Sequence, residues 1–454
     1  MTQSKGVTRR TFLKGAGAAA LGASATALAS CQPAAPAAPA ATAVPAAAAT
    51  KAPVVLKGAK VNWLGGPWSF LPELDPVIDT FCNDWAKQNN VTLTFEREAT
   101  NLNAKIQTAI ETGSGANIIQ LANPPATFAK SLADVTEVAT FLGAEGGGYL
   151  PAGPFQCTSA GKWIAVPLGQ HNWFINYRQD WLKEEGVDKF PDTWEEALAL
   201  GKKLKAKGRP FGMTLSDKAG GDGNAAPYLI LWAFGAKEFN PDGSLALDSK
   251  ETIAALEFAI KLHNEAGDPG EVAYDDGANN AGFLAEKISM TANVNTIYLP
   301  ALKNTPKVAA GMNHALPPKG PAGRFGACTL PWWGVLNHTK GADLDAAKDM
   351  IKQFFSMANM SKFYKAGQGY ILPVLPKYES ADIWPADPKL AIAKEMFKLA
   401  LPAGYALPNQ TKLSGLMQEK VMVGKLFSQA CSTGNARAAL DGVLKEINDL
   451  KLLS

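Results

Sequence analysis

Metal-ligand spacing is missing from this chain. Its four histidines, His171, His263, His314 and His338, are scattered, and none of its five cysteines stands in a Cys-x-x-Cys or Cys-x-His arrangement. No metal site is expected, and no cofactor. Catalytic motifs are missing too: there is no Gly-x-Ser-x-Gly and no His-Glu-x-x-His, which lowers the prospect of an exported hydrolase. Charge is sparse, at 19% of residues with a net value of +3, and Lys and Arg are dispersed. Without a basic stripe a nucleic-acid partner is not expected. No stretch reaches the roughly 20 uninterrupted apolar residues that cross a bilayer. Internal repeats are lacking as well.

What the chain does have begins at its N-terminus. Thr8-Arg9-Arg10-Thr11-Phe12-Leu13-Lys14 reads as a twin-arginine export signal, followed by an apolar small-residue run from Ala16 to Ala27 and then Leu28-Ala29-Ser30-Cys31. The last four residues fit a lipobox, whose cysteine carries lipid after cleavage. Residues 1–31 are therefore expected to be the signal, with Cys31 the lipidation site. The mature protein is expected outside the cytoplasmic membrane, tethered to its outer face. Residues 32–56 are rich in Pro and Ala, a composition that cannot bury a core and suits a spacer. The roughly 400 residues beyond exceed what one core usually supports, so two lobes are expected. Cys82, Cys157, Cys328 and Cys431 remain, as disulfides or as buried thiols.

From Ala59 onward strands and helices alternate. Val61 to Leu64 reads as a buried strand, and a helix follows with Leu74, Val77, Ile78, Phe81 and Trp85 on one face. Val91 to Phe95, a helix carrying Leu102, Ile106 and Ile110, and a strand from Ile118 to Leu121 complete a βαβαβ unit. Such units build a parallel sheet flanked by helices, with ligands beyond the carboxyl ends of strands. Those ends are Gly66 to Ser69 and Ala122 to Ala126. Downstream, Gly161 to Tyr177 is extended with a small-residue crossing at its middle, and Thr193-Trp194-Glu195-Glu196 is a capping box.

In this region the chain resembles a known family. Gly161-Lys162, Pro167, Asn176-Tyr177, Asp180-Trp181-Leu182, Gly186 and the helix opened by Pro191-Asp192-Thr193-Trp194-Glu195-Glu196 are similar to the signature of family 1 extracellular solute-binding proteins of ABC importers, the maltose-binding-protein type. Phe283 to Thr291 resembles a further family stretch, with Glu286 where the family has Gly. The segment from Phe325 to Val335 resembles its second N-lobe portion. The resemblance implies an α/β, two-lobed periplasmic-binding-protein (Venus flytrap) fold, each lobe a mostly parallel sheet flanked by helices and discontinuous in sequence. By that likeness the N-lobe comprises 57–169 and 322–372 and the C-lobe 173–316 and 376–454. Hinge crossings fall near 169–172, 317–323 and 372–376. The polar residues with which maltose binders grip sugar after the third strand are not matched, since Asn123-Pro124-Pro125 stands there.

A sugar cleft needs aromatic faces for stacking and a few convergent polar groups. Trp68, Trp173 and Tyr298 lie at expected strand ends or crossings. Tyr228 opens an apolar helix after the Gly-rich loop Asp217 to Asn224. Of Trp332 and Trp333, alternation along a strand turns one inward and the other, with Trp333 preferred, toward the cleft. The polar candidates are Asn123, His171, Asp275, Asp276 and Asn280; Asp275 and Asp276 equally suit a helix-capping turn. Trp85, Trp181 and Trp194 are expected in the core. The reading is a monomeric, non-catalytic binding protein that captures a carbohydrate and delivers it to the transmembrane subunits of an ABC permease. Another polar solute, such as a polyol, polyamine or glycerol phosphate, is the alternative. An exported glycoside hydrolase is the remaining one, although nothing specifies its pair of carboxylates.

Overall fold

The computed structural model describes residues 56–452; the signal, Cys31 and nearly all of the spacer lie outside them. Strand β1 (Lys60–Gly65) carries Val61 and Trp63 into the interior and leads into helix α1 (Leu74–Asn89). The helix buries Leu74, Ile78, Cys82, Trp85 and Ala86, a stripe at the 3.6-residue period that includes a cysteine. Strand β2 (Thr92–Arg97), helix α2 (Leu102–Thr112) and strand β3 (Ile118–Leu121) follow. Both β2 and β3 pair with β1 in parallel. This is the βαβαβ unit that the apolar periodicity predicts.

After a two-residue hairpin pair, β4 (Thr158–Ser159) and β5 (Lys162–Trp163), the chain adds β6 (Val166–Pro167). It then leaves the first sheet. The long β7 (His171–Arg178) becomes the spine of a second sheet. There it pairs antiparallel with β8 (Met290–Asn293) and β9 (Met312–Ala315), and through its first three residues with β10 (Gly326–Thr329). Strand β11 (Trp332–Val335) returns to the first sheet between β3 and β6, and β12 (Ala400–Pro402) joins β10 in the second. The strand orders are β2-β1-β3-β11-β6 and β12-β10-β7-β8. Two α/β lobes, each discontinuous in sequence, are the result. The expected parallel pairing holds for β1 with β2 and β3 and for β10 with β12, whereas β7 and β11 pair antiparallel with all their neighbours, so the second sheet is mostly antiparallel.

The three passages between the sheets run side by side. Leu168 N donates to Pro331 O at 2.8 Å, Gln170 N to Leu372 O at 2.7 Å, and Leu372 N back to Gln170 O at 2.8 Å. Gly169 is required here, because a Cβ would stand 2.6 Å from Ile371 Cγ1 and 2.8 Å from Leu372 O. The second passage is a correction. It falls at Leu330–Pro331 rather than within 317–323, because β10 still hydrogen-bonds to β7 and so belongs to the second lobe. The sequence pattern before β10 is Gly- and Pro-rich, which marks a turn but not a change of lobe.

Glu286, where the related pattern has Gly, adopts φ of +58°. A non-glycine residue in that conformation is strained. Its carboxylate meets Arg178 Nη1 at 2.9 Å, and Arg178 is fully buried at the far end of β7 over the ring of Trp181. Cys82, Cys157, Cys328 and Cys431 are all buried free thiols. No helix among the described residues is long and apolar enough to cross a membrane.

Candidate functional site

Side chains alternate along β7, so His171 and Trp173 share a face where the strand leaves the crossing. Trp173 is buried, and its indole Nε1 donates to Asp222 Oδ1 at 2.6 Å. Asp222 lies in the Gly-rich loop after Asp217 and acts as a hub. Its Oδ2 accepts from Asn279 Nδ2 at 2.6 Å and Asn293 Nδ2 at 3.2 Å. The loop itself is pinned by Asp276, whose two oxygens accept from the Gly221 and Asp222 amides at 2.9 and 3.0 Å. Gly221 is needed because the ring of Trp173 stands 2.8 Å from where its Cβ would sit. Asn293 also donates to Asn280 Oδ1 at 2.7 Å. These residues are the second lobe's wall.

The first lobe contributes rings. Trp68, in the turn between β1 and α1, stands edge-on to His171 at 5.8 Å, to Tyr370 at 6.0 Å and to Phe363 at 5.6 Å between ring centroids. His171 stacks on Tyr370 at 4.7 Å and meets Trp173 edge-on at 6.4 Å. The Trp68 amide is held by the Asp75 carboxylate, which Arg97 pairs at 2.9 Å. Asn295, just past β8, ties the second lobe to the third passage by donating to Gln368 O at 2.7 Å. At the rim, Lys303 of the second lobe reaches Glu73 of the first at 2.5 Å.

Several polar atoms at this meeting of lobes are buried yet have no partner among the described residues: Trp68 Nε1, His171 Nε2 and Asn295 Oδ1. Leaving such groups unpaired costs free energy, so they mark a place where a ligand can supply the missing bonds. Burial pushes the His171 imidazole down to about 4. At neutral pH it is uncharged, suited to a hydroxyl. The arrangement offers aromatic edges and faces, one unpaired indole donor and one unpaired amide acceptor.

The structure thus brings together Trp68, His171, Trp173, Asp276 and Asn280, but not the other expected site residues. Trp332 and Trp333 are both core. Trp333 Nε1 donates to Gln120 at 2.9 Å and its ring stacks on Phe354 at 5.0 Å. Trp332 packs with Leu64, Ile106, Leu121 and Leu132, its Nε1 on the Asn123 carbonyl at 2.6 Å. Alternation did turn them to opposite faces. But β11 lies inside a sheet covered on both sides, so both faces are interior.

Tyr228 is a second-lobe core residue, 4.8 Å from Trp232 between centroids and beside the buried Glu238. Tyr298 donates to Asp387 Oδ2 at 2.6 Å and packs edge-on to His314, apart from the aromatic cluster. Asp275 is exposed and caps the Gly277 and Ala278 amides at 3.0 and 2.9 Å, the turn role. Asn123 takes part through its carbonyl, fixing the loop after β3 to the first-lobe core.

Sequence reasoning missed Asp222, Asn279, Asn293, Asn295 and Tyr370. Two signals were present: the Gly-rich loop that holds Asp222, and the Asn-Val-Asn run that ends β8.

Comparison with known proteins follows the same lines. Residues 80–392 match the family described as bacterial extracellular solute-binding protein. A "probable ABC transporter-binding protein" of Deinococcus radiodurans is 22% identical over 332 residues, covering 71% of this chain and 77% of the relative. Among solved structures, maltose-bound T. maritima MalE3 superposes with a TM-score of 0.72 at 21% identity, covering 87% of this chain and 100% of the other. A sugar transporter from Arthrobacter chlorophenolicus with bound laminaribiose gives 0.73 at 19%, covering 86% and 99%. A solute-binding protein from Agrobacterium radiobacter in complex with ribitol gives 0.69 at 18%, covering 87% and 99%. At these identities the structural likeness speaks for the fold.

Proposed function

Because the chain belongs to the bacterial extracellular solute-binding protein family, a family of substrate-binding proteins rather than enzymes, we propose that it captures a sugar or oligosaccharide between its lobes for delivery to an ABC permease. The observation that carries this reading is the cluster of Trp68, His171, Trp173 and Tyr370, drawn from both lobes, with unpartnered buried polar atoms on two of its members, Trp68 and His171, and on Asn295 beside it. Sugars present hydroxyls to the polar atoms and an apolar ring face to the aromatics. A polyol would satisfy the polar atoms and leave the aromatic faces unmatched. A glycerol phosphate would want Arg, Lys or a helix N-terminus, and none of the clustered residues is basic at neutral pH.

Capture of this kind works by population shift: a ligand that bridges the lobes favours their closed arrangement, in which both present themselves to the permease in a fixed relation. Trp68 is the most direct test. Trp68→Ala removes the first lobe's ring and its indole donor, and is expected to weaken binding by about 2 kcal/mol, roughly 30-fold. Calorimetric titration of a glycan panel against both proteins checks it. Unchanged affinity would sink the assignment of this cluster as the cleft.

The export signal and lipobox support a lipid-anchored protein on the outer face of the cytoplasmic membrane, with the Pro- and Ala-rich spacer holding the lobes off the lipid. Cys31→Ser is expected to move the protein from the detergent phase to the soluble fraction. A mutant that still partitions with membranes would contradict the anchor.

A further inference from the structure

The second-lobe wall of the cleft gathers carboxyl groups. Asp222 is 3% exposed, Asp276 is largely buried beside it, and Asp275 adjoins both. Among the described residues, every hydrogen-bond donor to the carboxylates of Asp222 and Asp276 is a neutral N–H: the Trp173 indole, the side chains of Asn279 and Asn293, and the amides of Gly221 and Asp222. The charges that act most strongly on the pair are acidic ones, Asp276 and Asp275 on Asp222, and Asp275 on Asp276. Arg178, at the other end of β7, shows the contrast: its buried cation is met by Asp180 and Glu286 together.

Two neighbouring carboxyls taken out of water without a cation resist ionising, and burial followed by mutual repulsion pushes Asp222 well above the usual carboxylate range. After burial itself, the same two carboxyls raise the phenol of Tyr370 in the first lobe. Tyr370 stacks on His171, which stands edge-on to Trp173, the ring bonded to Asp222. Carboxylates beside aromatic rings are the chemistry that recognises a protonated amine, by charge-assisted hydrogen bonds and cation–π attraction.

A second observation separates amine-bearing ligands from one another. Trp68 Nε1, on a residue 5% exposed, is a donor without a partner, and Asn295 Oδ1, on a residue 1% exposed, is an acceptor without one. A fully protonated polyamine offers only donors and cannot satisfy the indole. A hydroxyl satisfies either. We propose that the ligand is an amino sugar, its protonated amine toward Asp276 and Asp222 and its hydroxyls toward Trp68 Nε1 and Asn295 Oδ1. This rests on the sugar-capture reading above.

The test is titration calorimetry at neutral pH with glucosamine and its β-1,4-linked oligomers of about two to four units, against glucose and cello-oligomers of the same lengths. The amino series is expected to bind about tenfold more tightly. In Asp276→Asn the ratio of amino-series to neutral-series affinity is expected to fall to about one, whatever the variant does to binding of both series together, and an unchanged ratio overturns the proposal. A neutral series that binds as well as or better than the amino series overturns the proposal and leaves sugar capture standing. If neither series binds at any length, the amino-sugar assignment falls together with sugar capture.

Discussion

Replacing Asp222 by Ala is expected to destabilise the second lobe by on the order of 4 kcal/mol. The carboxylate receives three side-chain donors, and each donor left buried without an acceptor costs about 1–3 kcal/mol. The three are not equal. Asn279 keeps Thr291 Oγ1 at 3.3 Å and Asn293 keeps Asn280 Oδ1 at 2.7 Å, while Trp173 Nε1 has no second acceptor among the described residues. The total therefore falls short of three full penalties, but it exceeds a single lost hydrogen bond. Thermal and urea melts should show the early transition. Intrinsic fluorescence, summed over the chain's 11 tryptophans, follows the same transition. A variant that melts with the parent protein would show that the hub is not structural, and its network would need another account.

Trp333→Ala is the second large effect, about 4 kcal/mol of lost stability. The ring is fully buried against Phe354, Phe355 and Trp63, and its removal leaves both a cavity and an unpaired Gln120 side chain. Affinity in the folded fraction should not change. The comparison with Trp68→Ala is what makes this informative: one ring is expected to carry binding, the other only folding. Normal melting with weakened binding in Trp333→Ala would return that residue to the cleft.

These two tryptophans show where the sequence was legible and where it was not. The alternation of apolar runs and amphipathic stripes from Val61 to Leu121 fixed three strands and two helices, because periods of 2.0 and 3.6 residues are local properties. Alternation also placed Trp332 and Trp333 on opposite faces of one strand correctly. What lies against each face is not local. It depends on β11 being inserted between β3 and β6, pairings that join residues 165 to 217 positions apart.

Asp222 was hidden for a related reason. An aspartate in a Gly-rich loop reads as a turn residue, and only the folded lobe brings Trp173, Asn279 and Asn293 to it from three separate elements. Trp68 and His171 were legible because their positions, a strand end and a lobe crossing, belong to the topology itself.

The late arrival of β11 also bears on synthesis. β6, at Val166–Pro167, has β11 as its sheet partner, and β11 ends at Val335. A nascent chain that has emerged only as far as residue 331 holds β1, β2 and β3 but lacks the strand that joins them to β6. The second lobe waits longer still, for β12 at Ala400–Pro402. Neither half can finish folding in order as it leaves the ribosome, and apolar strand edges stay open until most of the chain has been made. A protein assembled this way gains from completing its fold in the cytoplasm before translocation, which is the order of events that a twin-arginine route imposes.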